Sequence, residues 1–130
     1  MSVAPGEKFS FKFTTSSEHS AKHVGSGDVD VLSTPSMILF MEEACRRYMD
    51  DRLPESETTV GTRVDIYHVK AAPVGSEIEV HGTLLAIEGR KLVFWVEVWH
   101  NGRRIGYGVH ERYIVNREAF LRKLKGEKNG

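Results

Sequence analysis

A single cysteine in 130 residues cannot close an internal disulfide, so packing and not covalent stapling must hold this chain folded. Excess charge is missing too. Eighteen Lys and Arg balance eighteen Asp and Glu, which removes the electrostatic footprint of a nucleic-acid or anionic-membrane partner. Long apolar runs are absent: the longest, Met37 to Met41 and Leu92 to Val96, fall far short of the roughly 20 residues that cross a bilayer. The N-terminus lacks the pattern of a secretory signal, so the expected compartment is the cytoplasm. No Walker loop, Rossmann glycine fingerprint or serine elbow occurs, and no cofactor is expected. His19 and His23 could share a helix face, but no third ligand is evident and no metal site is expected.

What is present is ordinary for a soluble domain. Apolar residues make up 40% and charged residues 28%, and the length suits one domain, 1–130, with an ordered core over 7–120 and loose tails. Phe9, Phe11 and Phe13 alternate with polar residues as a half-buried strand. Ser16 to Gly27 reads as a polar loop with one helical turn around Glu18 to Lys22. Ser33 or Thr34 can then cap a helix that starts with Pro35 and ends before Pro54. On that helix Met37, Met41, Ala44, Cys45 and Tyr48 share a wide apolar face, with Ile38 and Met49 at its edge. Cys45 on this face reads as a buried thiol.

Strand periodicity takes over from Thr58. Val60, Thr62, Val64, Ile66 and His68 alternate along one strand, and Ile78, Val80, Leu84 and Ala86 along the next. Glu88-Gly89-Arg90 turns into Lys91–His100, and Asn101-Gly102 marks a second hairpin. The last strand, Ile105–Val115, carries Tyr107, Val109, Tyr113 and Val115 on its apolar face, which by parity turns Arg112 away from the core. Asn116 can cap a short helix reaching Lys125, and the tail from Gly126 is expected to fray. One strand, one long helix with a broad apolar arc and about four consecutive antiparallel strands describe an α+β fold. Its sheet must curl around the helix, as in the hotdog arrangement.

Three polar residues stand where the pattern calls for packing. Glu42 lies at the rim of the apolar helix face, while Glu43 points outward. A carboxylate there must be solvated, paired (an i,i+4 bridge to Arg46 is one use) or employed chemically. His68 shares the strand face assigned to the core, where a hydrogen-bonded structural histidine is the commoner case. Thr34 stands at the helix start, either as a simple cap or as a group at the positive end of the helix dipole.

Together these positions form a pattern. Ser33-Thr34-Pro35, Glu42-Glu43-Ala44-Cys45, the run Val60-Gly61-Thr62-Arg63-Val64-Asp65-Ile66-Tyr67-His68 and Ala71-Ala72-Pro73-Val74-Gly75 resemble the fluoroacetyl-CoA thioesterase-like family of hotdog proteins. The resemblance runs from about Gly27 to Val115. It implies Thr34, Glu42 and His68 as catalytic residues, and Gly61 and Arg112, the latter from the Glu111-Arg112 pair, as substrate-binding residues. The family's fluoroacetate-specialised branch carries aromatic residues before the central helix, whereas Ala21 to Ser33 holds none. The expectation is therefore a general thioesterase for small or medium acyl-CoA.

The implied chemistry suits the residue types. Glu42 attacks the thioester carbonyl or activates water, Thr34 and the amides at the helix start polarise the carbonyl oxygen, and His68 orients the carboxylate or water and protonates the leaving thiolate. If Thr34 and Glu42 lie in one straight helix, about 12 Å separates them along its axis. A homodimer, or a dimer of dimers, with sites at the subunit boundary is therefore expected. Two other readings are a non-catalytic acyl-CoA-binding module and a hotdog hydratase or dehydratase. The second needs a D-x-N-P-x-H-like run that is not found.

Overall fold

The computed structural model describes residues 2–128. After β1 (Lys8–Thr14) comes a 3-10 turn (Ser17–His19) and a short helix α1 (Ala21–Val24), then the long helix α2 (Thr34–Asp50). Four strands follow without interruption by helix: β2 (Glu57–His68), β3 (Glu77–Glu88), β4 (Lys91–His100) and β5 (Arg103–Asn116), with helix α3 (Arg117–Lys128) last. All neighbours pair antiparallel in the order β1-β3-β4-β5-β2, so β2 is an outer strand.

Two tight turns explain the β3-β4-β5 meander. Gly89 takes a positive φ at the first, and Asn101 and Gly102 have φ of 48° and 72° at the second, the left-handed pair that matches strand twist. The sheet closes over α2. Met37, Met41, Ala44, Cys45, Tyr48 and Met49 are buried against Ile78, Val80, Leu84, Leu92, Phe94, Val96 and Val98. Phe40 is buried too, its ring centroid 4.9 Å from that of Phe13 and 4.7 Å from that of His19. The apolar arc of the helix is therefore one residue-row wider than its periodicity indicates. This is the hotdog arrangement expected from the order of elements.

Several local expectations hold. The polar segment before α2 contains the helical turn around Glu18 to Lys22, split into the 3-10 turn and α1. Asn116 caps α3 by accepting from the Ala119 amide at 2.9 Å. The helix runs on through Gly126 to Lys128, past the end expected at Lys125; the last residues of the expected fraying tail lie outside the described residues.

Strand parity departs from the expectation in two places. In β5 Ile105 is buried near the strand start, and beyond it the buried side chains are His110, Arg112 and Ile114, with Gly106 and Gly108 also turned inward, while Tyr113 is exposed and Val109 and Val115 are half-buried. Arg112, expected to face away, is thus inside. The reason is close approach. A Cβ on Gly106 would stand 2.5 Å from Met37 Sδ, and one on Gly108 2.2 Å from the Asp65 carbonyl oxygen, so the inner row needs glycine where parity arguments look for apolar bulk.

In β2 the register with β5 shifts between Gly61 and Arg63. This bulge inserts one residue and reverses which side chains point inward. Thr59 and Gly61 face the helix before it; Ile66 packs on the core and His68 reaches α2 after it. Val60, expected beside His68 on the core face, lies on the other side, where it lines a groove with Val115, Phe120 and Leu121.

Candidate active site

Helix α2 presents its first residue and its ninth to two separate clusters. At the helix start Ser33, not Thr34, is the cap: its Oγ accepts from the Ser36 amide at 3.0 Å. Pro35 has no amide hydrogen, and the Met37 amide donates to the Ser33 carbonyl at 2.9 Å. Ser33 therefore consumes the first-turn amides expected to serve a carbonyl oxygen, and Thr34 N–H takes part in none of these bonds.

Relieved of capping, the Thr34 hydroxyl meets His68 Nδ1 at 2.7 Å. The other ring nitrogen, His68 Nε2, is buried and has no hydrogen-bond partner among the described residues. Burial pushes the His68 imidazole below its ordinary value, partly opposed by the Lys70 backbone, so the neutral ring is favoured. Thr34 and His68 line a cleft of ≈ 280 Å³ together with Val31, Leu32, Lys70 and Ala71.

The second cluster surrounds Glu42. Its carboxylate is not bonded to Arg46, which pairs with Asp50 at 2.9 Å, nor is it the outward partner of Arg47, which pairs with Glu43 at 2.9 Å. Glu42 Oε2 instead faces Arg112 Nη1 at 3.4 Å, with the Glu42 side chain 39% exposed and that of Arg112 5%. Arg112 is held from behind: Nε donates to Thr59 Oγ1 at 2.7 Å, Nη2 to the Thr59 carbonyl at 2.9 Å, and Nη1 to His110 Nε2 at 3.1 Å. A buried guanidinium needs these acceptors, since the Glu42 carboxylate is 3.4 Å away.

Gly61 of β2 lies directly beneath the carboxylate. A Cβ there would come within 2.5 Å of Glu42 Oε2, 3.3 Å of His110 Cε1 and 3.4 Å of Arg112 Nη1. Leu39, Glu42, Glu43, Arg46 and Arg112 line a second cleft of ≈ 230 Å³. Cys45, behind Glu42, is fully buried, and desolvation pushes its thiol up to about 12; it is a packed, unreactive group, as its place on the helix suggests.

The geometry thus joins Glu42, Gly61 and Arg112 in one place and Thr34 and His68 in another. Eight residues of continuous α-helix separate the two along α2, about 12 Å of rise. Sequence reasoning passed over His110 and Thr59, which carry the Arg112 guanidinium. His110 stands two residues before Arg112, at a spacing that shares a strand face, and this is the signal that could have found it. The more apolar groove of ≈ 320 Å³ under α3, with Val60, Val115, Phe120 and Leu121, adds only Thr58 and Arg117 as polar lining and brings no converging polar groups. His19 accepts from the Ser16 amide through Nδ1 at 2.9 Å, and no group of three or more potential metal-binding side chains occurs among the described residues.

The family model described as fluoroacetyl-CoA-specific thioesterase, FlK, matches residues 15–118. The fluoroacetyl-CoA thioesterase of Streptantibioticus cattleyicolor is 30% identical over 126 residues, covering 92% of this chain and 91% of its own. A crystal structure of the fluoroacetyl-CoA thioesterase FlK superposes with a TM-score of 0.89 at 29% identity, covering 97% of this chain and 98% of that one. A thioesterase superfamily member from Thermus thermophilus superposes with a TM-score of 0.84 at 27% identity, over 97% of this chain and 96% of that one. With the family model matching most of its length and a relative 30% identical over nearly all of it, the chain belongs to the fluoroacetyl-CoA-specific thioesterase family of hotdog proteins.

Proposed function

We propose that the two clusters on α2 are halves of one active site, completed when a second copy of the chain brings its Thr34 and His68 to Glu42 of the first. The protein is an acyl-CoA thioesterase, a thioester hydrolase, by its family; the proposal concerns how its residues perform that reaction and on what. The observation that carries it is the separation of about 12 Å between Thr34 and Glu42 on one unbroken helix, too long for both to reach one thioester carbon. Strand β2 supports it, being an outer strand with an unpaired edge. Gly61, under Glu42, and His68 lie on this same strand, seven residues apart. Antiparallel pairing of two β2 edges about a two-fold axis near Val64 would set the His68 of each copy opposite the Gly61 of the other, and so beside its Glu42.

In such a site Glu42 acts on the thioester carbonyl carbon. It attacks directly, giving an acyl-enzyme anhydride that water cleaves, or it takes a proton from a water that attacks. The Thr34 amide polarises the carbonyl oxygen, while the Thr34 hydroxyl donates its one hydrogen to His68 Nδ1. His68, whose Nδ1 accepts from Thr34, keeps its ring proton on Nε2, which has no partner among the described residues and hydrogen-bonds the departing sulfur; CoA leaves as the thiolate and takes its proton from solvent water. Arg112 and Gly61 keep the carboxylate in place.

The substrate we infer is a small or medium acyl-CoA and not fluoroacetyl-CoA in particular. Ala21 to Ser33 carries no aromatic side chain, and the cleft beside Thr34 is lined by Val31, Leu32 and Ala71.

The decisive experiment mixes Thr34→Ala and Glu42→Ala chains, each inactive alone, under unfolding and refolding. A shared site leaves each mixed dimer one intact site, and random pairing makes about half the dimers mixed, so activity returns to about a quarter of wild type. Mixed dimers confirmed by mass with no returning activity would put both residues in one subunit's site. Thiol release across short, branched and aryl acyl-CoAs fixes the acyl range.

A further inference from the structure

We propose that His110 is a positioning residue for the thioesterase reaction: it orients the Arg112 guanidinium, and through it the Glu42 carboxylate. The inference rests on the reading of Glu42 as the reacting group. His110 is 1% exposed on the inner face of β5. Its Nδ1 lies 2.8 Å from the Arg63 carbonyl oxygen, and a carbonyl only accepts, so Nδ1 carries the proton. Nε2 lies 3.1 Å from Arg112 Nη1, and a guanidinium only donates, so Nε2 offers its lone pair. Both ring positions are thereby assigned, and His110 is the neutral tautomer protonated at Nδ1.

That assignment gives the ring a task. Arg112 Nη1 has two hydrogens; one goes to His110 Nε2 and the other points to Glu42 Oε2 at 3.4 Å. Thr59 takes Nε and Nη2 on the opposite side of the plane. The guanidinium is thus pulled from two sides, and its approach to Glu42 stays long for an ion pair. Removing the His110 acceptor leaves Nη1 with only Glu42 to satisfy it. The arginine then closes on the carboxylate, engages its lone pairs and lowers its reactivity toward a carbonyl or a water.

The anchor matters equally. Arg63 follows the β2 bulge, and Gly61 precedes it beneath Glu42. His110 therefore joins Arg112 to the strand segment that seats the carboxylate. Neither ring nitrogen is left for substrate, which makes this a positioning role.

Two near-isosteric variants separate the bonds. In His110→Gln the side-chain amide reaches the Nε2 position and still offers an oxygen to Arg112. In His110→Asn the amide nitrogen occupies the Nδ1 position, keeps the Arg63 carbonyl and abandons Arg112. Turnover per folded molecule, KM and Tm are measured for both, together with the Arg112 Nε–H resonance in a 15N spectrum. His110→Asn is expected to lose on the order of tenfold in kcat, the scale of one hydrogen bond to a charged group, with KM within about twofold, and to shift the Arg112 resonance. His110→Gln is expected to stay within about threefold of wild type.

Equal kcat for the two variants, or an unmoved Arg112 resonance in His110→Asn, overturns the proposal. So does activity that falls only in step with the folded fraction. If His110→Asn does not fold, His110→Gln decides alone: a loss of about tenfold or more per folded molecule sinks the idea, and retained turnover sustains it. A wild-type protein that hydrolyses no acyl-CoA would refute the reading of Glu42 separately, and the resonance would still report whether His110 sets Arg112.

Discussion

Gly61→Ala is a one-carbon perturbation aimed at the seat of the Glu42 carboxylate. The added Cβ would stand 2.5 Å from Glu42 Oε2, whereas His110 Cε1 at 3.3 Å need shift only slightly and Arg112 Nη1 at 3.4 Å is near ordinary contact. Carbon–oxygen contacts below about 3 Å are repulsive, so the carboxylate must retreat by roughly half an ångström or more. It can do so cheaply. Glu42 is 39% exposed and can swing toward solvent, and Gly61 does not occupy a positive-φ conformation. Replacing glycine in a permitted conformation also stabilises by about 0.4–1 kcal/mol through the unfolded chain.

Stability should therefore change by less than about 1 kcal/mol, with the lost approach to Arg112 offsetting the entropic gain. Catalysis should respond differently. Misplacement of a reacting group by about 1 Å costs on the order of 100-fold, so a shift of half that or more implies a loss of roughly tenfold to 100-fold in kcat. Thiol release from a good acyl-CoA substrate, paired with denaturant unfolding of the same preparation, reads both quantities. Near-wild-type turnover in a folded Gly61→Ala protein would refute the idea that the carboxylate reacts from above Gly61. A stability loss beyond about 2 kcal/mol would show instead that the glycine serves packing.

His68→Ala should reduce turnover by at least about 100-fold while lowering Tm by only a few degrees, because the half-buried ring is bonded to Thr34 and stands outside the core cluster; a large Tm drop with normal turnover per folded molecule would make it structural. Stability should also fall on mild acidification. Burial holds His110 below its ordinary value, with Arg112 adding to that and the Arg63 backbone, Glu42 and Glu111 opposing it, and His68 is lowered likewise by burial. Below about pH 6.5 the unfolded chain then binds protons that the folded one refuses, so unfolding free energy decreases as pH falls, until the folded pKa values are passed. A single histidine contributes at most about 1.4 kcal/mol per pH unit to that slope, and denaturant midpoints from pH 8 to 5 should show the fall in wild type and less of it in His110→Gln. A flat profile over that range would contradict burial of neutral histidines.

Local pattern determined the scaffold of this protein. The apolar arc of α2, the alternating Phe9, Phe11 and Phe13, the Leu92–Val98 strand and the Asn101-Gly102 turn are all written in nearest-neighbour periodicity and turn chemistry, which act before distant contacts form. Thr34, Glu42, Gly61 and His68 stood out as a set only through their resemblance to the family's pattern, since each residue alone has an ordinary structural reading. Ser33 against Thr34 as helix cap was not decided by sequence, since both residues can cap; only the position of His68 reserves the Thr34 hydroxyl for another use. The inward turn of Arg112 and His110 was hidden for a related reason. Parity assumes that the apolar row faces the core, yet α2 approaches β5 so closely at Gly106, and β2 at Gly108, that the inner row there is glycine, and beyond it buried charge held by Thr59 and His110 replaces apolar bulk. The β2 bulge then exchanges faces between Gly61 and Arg63, an offset that exists only once β2 is paired with β5. Sequence sets what each segment prefers by itself; how near two segments come, and therefore which polar groups must satisfy one another, is a property of the packed sheet and helix.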